Sequence, residues 1–191
     1  MEEPRLSFAL MLSYLNRVLE RVSDPRQPSN AQRYHLRDLV LGAFAVFYLQ
    51  CPSFLEHQRQ MQSRHGHNNA QRLFGVMTIP TPNQIKNVVD GVSAAVLLPV
   101  FRWVYQALAA QGFLTAYEVL DGQRLVGLDG TEYFSSAAIH CDQCSQRTHT
   151  SGQVSYHHDV ILPVIVAPGQ EPVISLMPEF IRPQDGAQKQ V

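Results

Sequence analysis

Leu125-Val126-Gly127-Leu128-Asp129-Gly130-Thr131 reads as an apolar strand that delivers a carboxylate at its end. A glycine follows, and at that position it lets other backbone or a ligand come close. Just upstream, Asp121-Gly122 is a turn dipeptide, and beyond it the apolar period changes from helical to strand-like. Arg124 to Leu128 is predicted as a buried strand and Val154 to Ala167 as a long one with Pro163 as a bulge or break. Pro168-Gly169 is predicted as a turn and Val173 to Met177 as a third strand in meander order.

Before Tyr117 the pattern is helical, with apolar residues recurring at three and four positions from Leu6 to Val22 and from Tyr34 to Leu49. Ser29 or Asn30 can cap the second helix, and Pro52 can open a third that runs through Phe54, Glu56 and Gln60. Thr81-Pro82-Asn83-Gln84 combines a cap, a first-turn proline and a capping-box glutamine, so a helix is expected to run on to Gly91. Another should cover Val92 to Ala110, broken near Pro99. The expected class is α+β: a helical bundle over residues 1–120, then strands over 121–191.

The chain has 191 residues and the apolar content of a globular protein, with a formal charge of −1. Near-neutral charge excludes a large basic field, so any DNA contact must be local. Lys86 and Lys189 are the only lysines. The Arg skew suits bidentate phosphate contacts and is equally accounted for by codon bias. The apolar runs Leu39–Leu49 and Val92–Phe101 fall short of the roughly 20 residues a bilayer span needs. No signal-peptide pattern precedes Leu6, so a cytoplasmic protein with no membrane partner is expected.

The three cysteines cannot form a complete disulfide framework. His140-Cys141-Asp142-Gln143-Cys144 contains the Cys-x2-Cys pair of many zinc knuckles. Cys141, Cys144 and His149 are the expected zinc ligands, with His140 or His157 as a fourth. Buried thiols and ordinary polar histidines are the competing reading. His157 and His158, being consecutive on a strand, should face opposite sides of the sheet. Arg59, Arg64, His65, His67 and Arg72, interleaved with Gln and Asn, form a candidate DNA-contacting segment, which a solvated polar loop would equally resemble.

On spacing alone Asp129-Gly130 is a turn as readily as a metal site. A longer string bears on the choice. It runs from Leu128 through Ser136, then Ile139-His140-Cys141 and Cys144, Tyr156-His157-His158, Pro168-Gly169-Gln170, Pro178-Glu179-Phe180-Ile181 and Pro183-Gln184-Asp185-Gly186. That string resembles bacterial insertion-sequence transposases of the DDE class. Arg37-Asp38, Pro52-Ser53-Phe54 and Pro82-Asn83-Gln84 extend the resemblance more weakly into the helical half.

The resemblance implies an RNase-H-like domain whose mixed sheet begins with three antiparallel strands. It implies that Asp129 is the first catalytic acid, a ligand for Mg2+, and that DNA ending in terminal inverted repeats is the partner. Such chemistry uses two metal ions held by three acids. The second Asp and the Glu are expected beyond Val191, so this stretch is expected to be an incomplete catalytic domain, inactive by itself. Two further readings stand beside it: a non-catalytic DNA- or partner-binding protein with a zinc knuckle, and a fragment that occupies the DNA or oligomer interface of an intact transposase.

Overall fold

The computed structural model describes residues 5–28, 32–63 and 69–183. The fold is α+β and divides into two compact units, residues 1–100 and 101–191. The boundary lies earlier than the change of periodicity near residue 120, because part of the last helix packs with the strands. Within that helix Val100 joins the first unit's core, while Tyr105 and Leu108 join the second's.

In the first unit α1 (Phe8–Leu19) is capped by Ser7, whose hydroxyl accepts from the Leu10 N–H, and α2 spans Leu36–Tyr48. α2 starts at His35 without a side-chain cap; the expected caps Ser29 and Asn30 lie outside the described residues. In α3 (Phe54–Gln62) the cap is Ser53, accepting from the Glu56 N–H, so Pro52 stands before the cap rather than in the first turn. α4 (Pro82–Val89) follows the expected pattern, with Thr81 accepting from the Gln84 N–H and Pro82 at the start. The helix expected over Val92 to Ala110 is a 3-10 turn, Ala94–Leu97, followed by α5, Leu98–Ala110. Pro99 falls in the first turn of α5, where its missing N–H removes no helical bond. Among the described residues no single helix is long and apolar enough to cross a membrane.

Leu39, Leu41 and Phe74 are fully buried at the centre of this unit. Phe74 ends a π turn, Ala70–Phe74, closed by Gly75 in the left-handed region at φ 65°. A Cβ on Gly75 would stand 2.8 Å from the Arg37 guanidinium, so glycine serves both the turn and the close approach. Arg37 donates to Asn16 Oδ1 and to the Gly75 carbonyl, each at 2.8 Å, tying α1 and the π turn to α2. Its neighbour Asp38 is buried, and burial pushes that carboxyl above the ordinary range against the pull of Arg37, His35 and the backbone N–H groups of Met77 and His35. The conspicuous Arg37-Asp38 pair therefore has a structural role.

The second unit is an antiparallel sheet. β1 (Glu118–Val119) turns through Leu120, Asp121 and Gly122, all at positive φ, into β2 (Gln123–Ser136). β3 (Ser145–Thr148) and β4 (Val154–Val166) form a hairpin, and β5 (Ile174–Ser175) and β6 (Glu179–Ile181) follow. β2 occupies one edge of β4 from Tyr156 to Val166, so β3, β6 and β5 line up along the other edge. β2, β4 and β5 are thus neighbours in antiparallel order, as expected for the three anticipated strands, while β1, β3 and β6 were not anticipated.

Two strand expectations are corrected. Pro163 makes no bulge: it pairs with Leu128 in continuous register. Its carbonyl accepts from the Leu176 N–H at 2.9 Å. Backbone N and O of one residue point to the same edge, so the missing proline donor faces the sparsely paired side, where a strand tolerates it. The bulge falls instead at Tyr133, between Glu132 and Phe134. Asp129 is likewise neither at a strand end nor in a turn; it sits mid-strand, opposite Leu162. Gly130 has nothing within 4 Å of an added Cβ, so no other part of the described chain comes close there.

Candidate metal centre

Cross-strand partners share a face of the sheet, so the register sorts the candidate residues. Asp129, Val160, Leu162 and His158 lie on one face; Glu132, His157 and Asp159 lie on the other. His157 and His158 do face opposite sides.

Asp129 is exposed, and the groupings of potential metal ligands among the described residues do not include it. One exposed carboxylate does not fit a two-ion Mg2+ centre, which needs several acids converging on the same ions. On the opposite face Glu132 stands across from Asp159. Arg147 pairs with Glu132 at 3.0 Å, and His157 Nε2 lies 3.3 Å from Asp159 Oδ2. His157 is buried, its Nδ1 has no hydrogen-bond partner, and its Nε2 faces Asp159. These three residues form a second grouping of potential metal ligands, in which Glu132 is already paired with Arg147.

The cysteine pair is different. Cys141 and Cys144 form a tight turn in which the Cys144 N–H donates to the Cys141 carbonyl at 3.1 Å. Their Sγ atoms are 3.8 Å apart, and His158 Nε2 lies 3.4 Å from Cys141 Sγ and 3.3 Å from Cys144 Sγ. Around tetrahedral zinc, bond lengths of about 2.3 Å to sulfur and 2.05 Å to nitrogen set S···S near 3.8 Å and S···N near 3.6 Å. The three atoms fit such an ion closely.

The histidine that joins the two sulfurs is His158, not the expected His149. In the β3 hairpin Ser145 pairs with His157 and Thr148 with Val154; one step further, Cys144 falls opposite His158. The same ladder carries His149 toward the hairpin tip, where its N–H donates to the Gln153 carbonyl at 2.8 Å. Five residues of extended chain, about 16 Å, separate it from Cys144. Its Nε2 lies 2.8 Å from Ser155 Oγ. His140 stacks on Tyr156 at 4.2 Å, and His157 belongs to the opposite face, so neither completes the shell.

The Tyr133 bulge explains how the His158 ring is held. An extra residue turns both Tyr133 and Phe134 toward His158, at centroid distances of 5.7 and 5.6 Å. The Tyr133 ring is nearly parallel to the imidazole, at 14°. Around the sulfurs, the Cys141 N–H donates to Cys144 Sγ at 3.3 Å and the Gln143 N–H to Cys141 Sγ at 3.4 Å. Burial nevertheless pushes the Cys144 thiol up; the Cys141 N–H pulls it back, and the adjacent Cys141 sulfur adds to the rise. Were both sulfurs thiolates, their repulsion at this distance would call for a cation between them.

Of the candidate DNA-contacting residues, Arg59 is exposed on α3, 3.9 Å from Glu56, and Arg72 is exposed in the π turn. Arg64, His65 and His67 lie outside the described residues. His57, two residues before Arg59, is buried with Nε2 unpartnered; burial holds its pKa below the ordinary value, so it is a neutral core side chain. Comparison of the chain with family models, with curated proteins and with solved structures found no match.

Proposed function

We propose that this chain is built on the plan of a DDE transposase and acts on the DNA of a mobile element, with Asp129 in the position of the first metal-binding acid of an RNase-H-like sheet. The observation that carries this is the antiparallel run of β2, β4 and β5, with an exposed carboxylate in the middle of its long first strand. The antiparallel order is the one that the resemblance of Leu128–Ser136 and the segments after it implies; the mid-strand place of Asp129 is not.

Among the described residues Asp129 belongs to no group of three or more potential metal ligands, so these residues do not assemble the three-acid, two-ion centre. The 191-residue chain is therefore expected to bind, and not to nick, DNA bearing the element's terminal repeats in the presence of Mg2+. Arg59→Ala with Arg72→Ala should weaken that binding and reduce its salt slope by about 2. Specific nicks abolished by Asp129→Ala would overturn the inactive assignment, and absence of repeat-specific binding would overturn the DNA assignment. That same observation favours a second reading, in which the chain is a non-catalytic DNA- or partner-binding protein with a metal-stabilised hairpin.

A further inference from the structure

The geometry points to a zinc site formed by Cys141, Cys144 and His158, which staples the β3 hairpin onto β4. It stands independently of the DNA reading, since it rests on the sheet register and not on the family resemblance.

Four observations converge on it. The S···S separation of 3.8 Å is that of two ligands on one ion and far from the roughly 2.05 Å of a disulfide. His158 Nε2 is nearly equidistant from the two sulfurs, at 3.4 and 3.3 Å, which a pair of free thiols would not require. The backbone N–H groups of Cys141 and Gln143 point at the sulfurs and favour the thiolate form that binds metal. The rings of Tyr133 and Phe134 fix the imidazole plane from the β2 side.

Two thiolates and one imidazole select zinc over Mg2+ or Ca2+, which take oxygen ligands. Binding deprotonates both thiols, releasing two protons and leaving a neutral Zn(Cys)2(His) centre. Among the described residues no fourth Cys, His, Asp or Glu joins the group, so the fourth position of the tetrahedron is open to a ligand from outside it. Cys141 is exposed and Cys144 buried, so the ion enters from the Cys141 side.

The location gives the ion a structural task. β3 has four residues, mostly exposed, and among the described residues pairs only with β4. So short a hairpin is marginal by itself. Joining residues 141 and 144 to 158 closes the whole segment between them onto the sheet.

Elemental analysis of the purified 191-residue chain tests the site. About one zinc per chain is expected. Cys144→Ser and His158→Ala should lower this to below about a tenth, whereas His149→Ala should retain it. Co2+ added to the metal-free protein should give a sulfur-to-cobalt charge-transfer band and tetrahedral visible bands. Should His158→Ala fail to fold, His158→Cys decides: zinc retained, with a stronger Co2+ charge-transfer band from a third thiolate, upholds the site, and a folded His158→Cys protein without zinc overturns it. A wild-type chain that holds no zinc and takes up no Co2+ at micromolar concentration overturns it as well. So does loss of zinc in His149→Ala equal to that in Cys144→Ser.

Discussion

Phe74→Ala should destabilise the helical unit by about 4 kcal/mol, the upper part of the range for deleting a buried aromatic ring. Phe74 is only 1% exposed. Its ring meets those of Phe8, Tyr48 and Phe44 edge-on, at 5.8, 5.9 and 6.3 Å. Each such pair adds roughly 0.5–1.5 kcal/mol beyond burial. The site collapses poorly after truncation because the backbone there is committed: the π turn is closed by Gly75 at positive φ, with the Arg37 guanidinium bonded to the Gly75 carbonyl. A loss of this size is comparable to the whole stability of many domains, about 5–15 kcal/mol. Denaturant unfolding followed by far-ultraviolet circular dichroism should show a lower midpoint with an unchanged slope. Leu73→Ala, at a 44% exposed neighbour, should cost less than about 1 kcal/mol. Equal effects from the two substitutions would contradict the described core.

Removal of zinc should release the β3 hairpin while the rest of the sheet holds. A ligand present at about 100 times its dissociation constant stabilises the state that binds it by about 2.7 kcal/mol, or 100-fold in a local opening equilibrium. Amide hydrogen exchange measured with and without a strong chelator should therefore speed up about 100-fold over Cys144–His149. The β2 and β4 amides around Leu128 and Leu162 are held by strand pairing on the far side of the bulge, and should change by less than about threefold. Unchanged exchange in the hairpin would show that the metal has no structural task. A matching rise throughout β2 and β4 would make the ion a determinant of the whole sheet rather than a staple for one hairpin.

The helical half was legible because its signals are local. Thr81-Pro82 opens α4 as its cap chemistry predicts, and the apolar spacing locates α1 and α2 within a few residues. The sheet was legible in β4 and in its turns, since Asp121-Gly122 and Pro168-Gly169 bend the chain where turn chemistry says they should. β2, expected as a short buried strand over Arg124 to Leu128, instead runs Gln123–Ser136 and is mostly exposed. What periodicity could not supply was register. His149 is closer in sequence to Cys144 than His158 is, and only the ladder that sets Ser145 against His157 reveals that an extended strand carries His149 away. A tyrosine bulge leaves no composition signal, so the ring that holds His158 was invisible, and Pro163 drew the expected irregularity to the wrong residue. A small clue to the third ligand was present in alternation: His158 is followed on the same face by Val160 and Leu162, a face the neighbouring His157 does not share.

The proposed transposase plan is tested most directly by the DNA on either side of the coding segment. Beyond the codon for Val191 it predicts a continuation, in frame or decayed, that encodes a second Asp at the end of an apolar strand-like run and a Glu within a helix-period segment, all enclosed by inverted repeats. Flanking DNA that encodes neither acid and carries no repeats would contradict the plan and leave the chain as a metal-stapled binding protein.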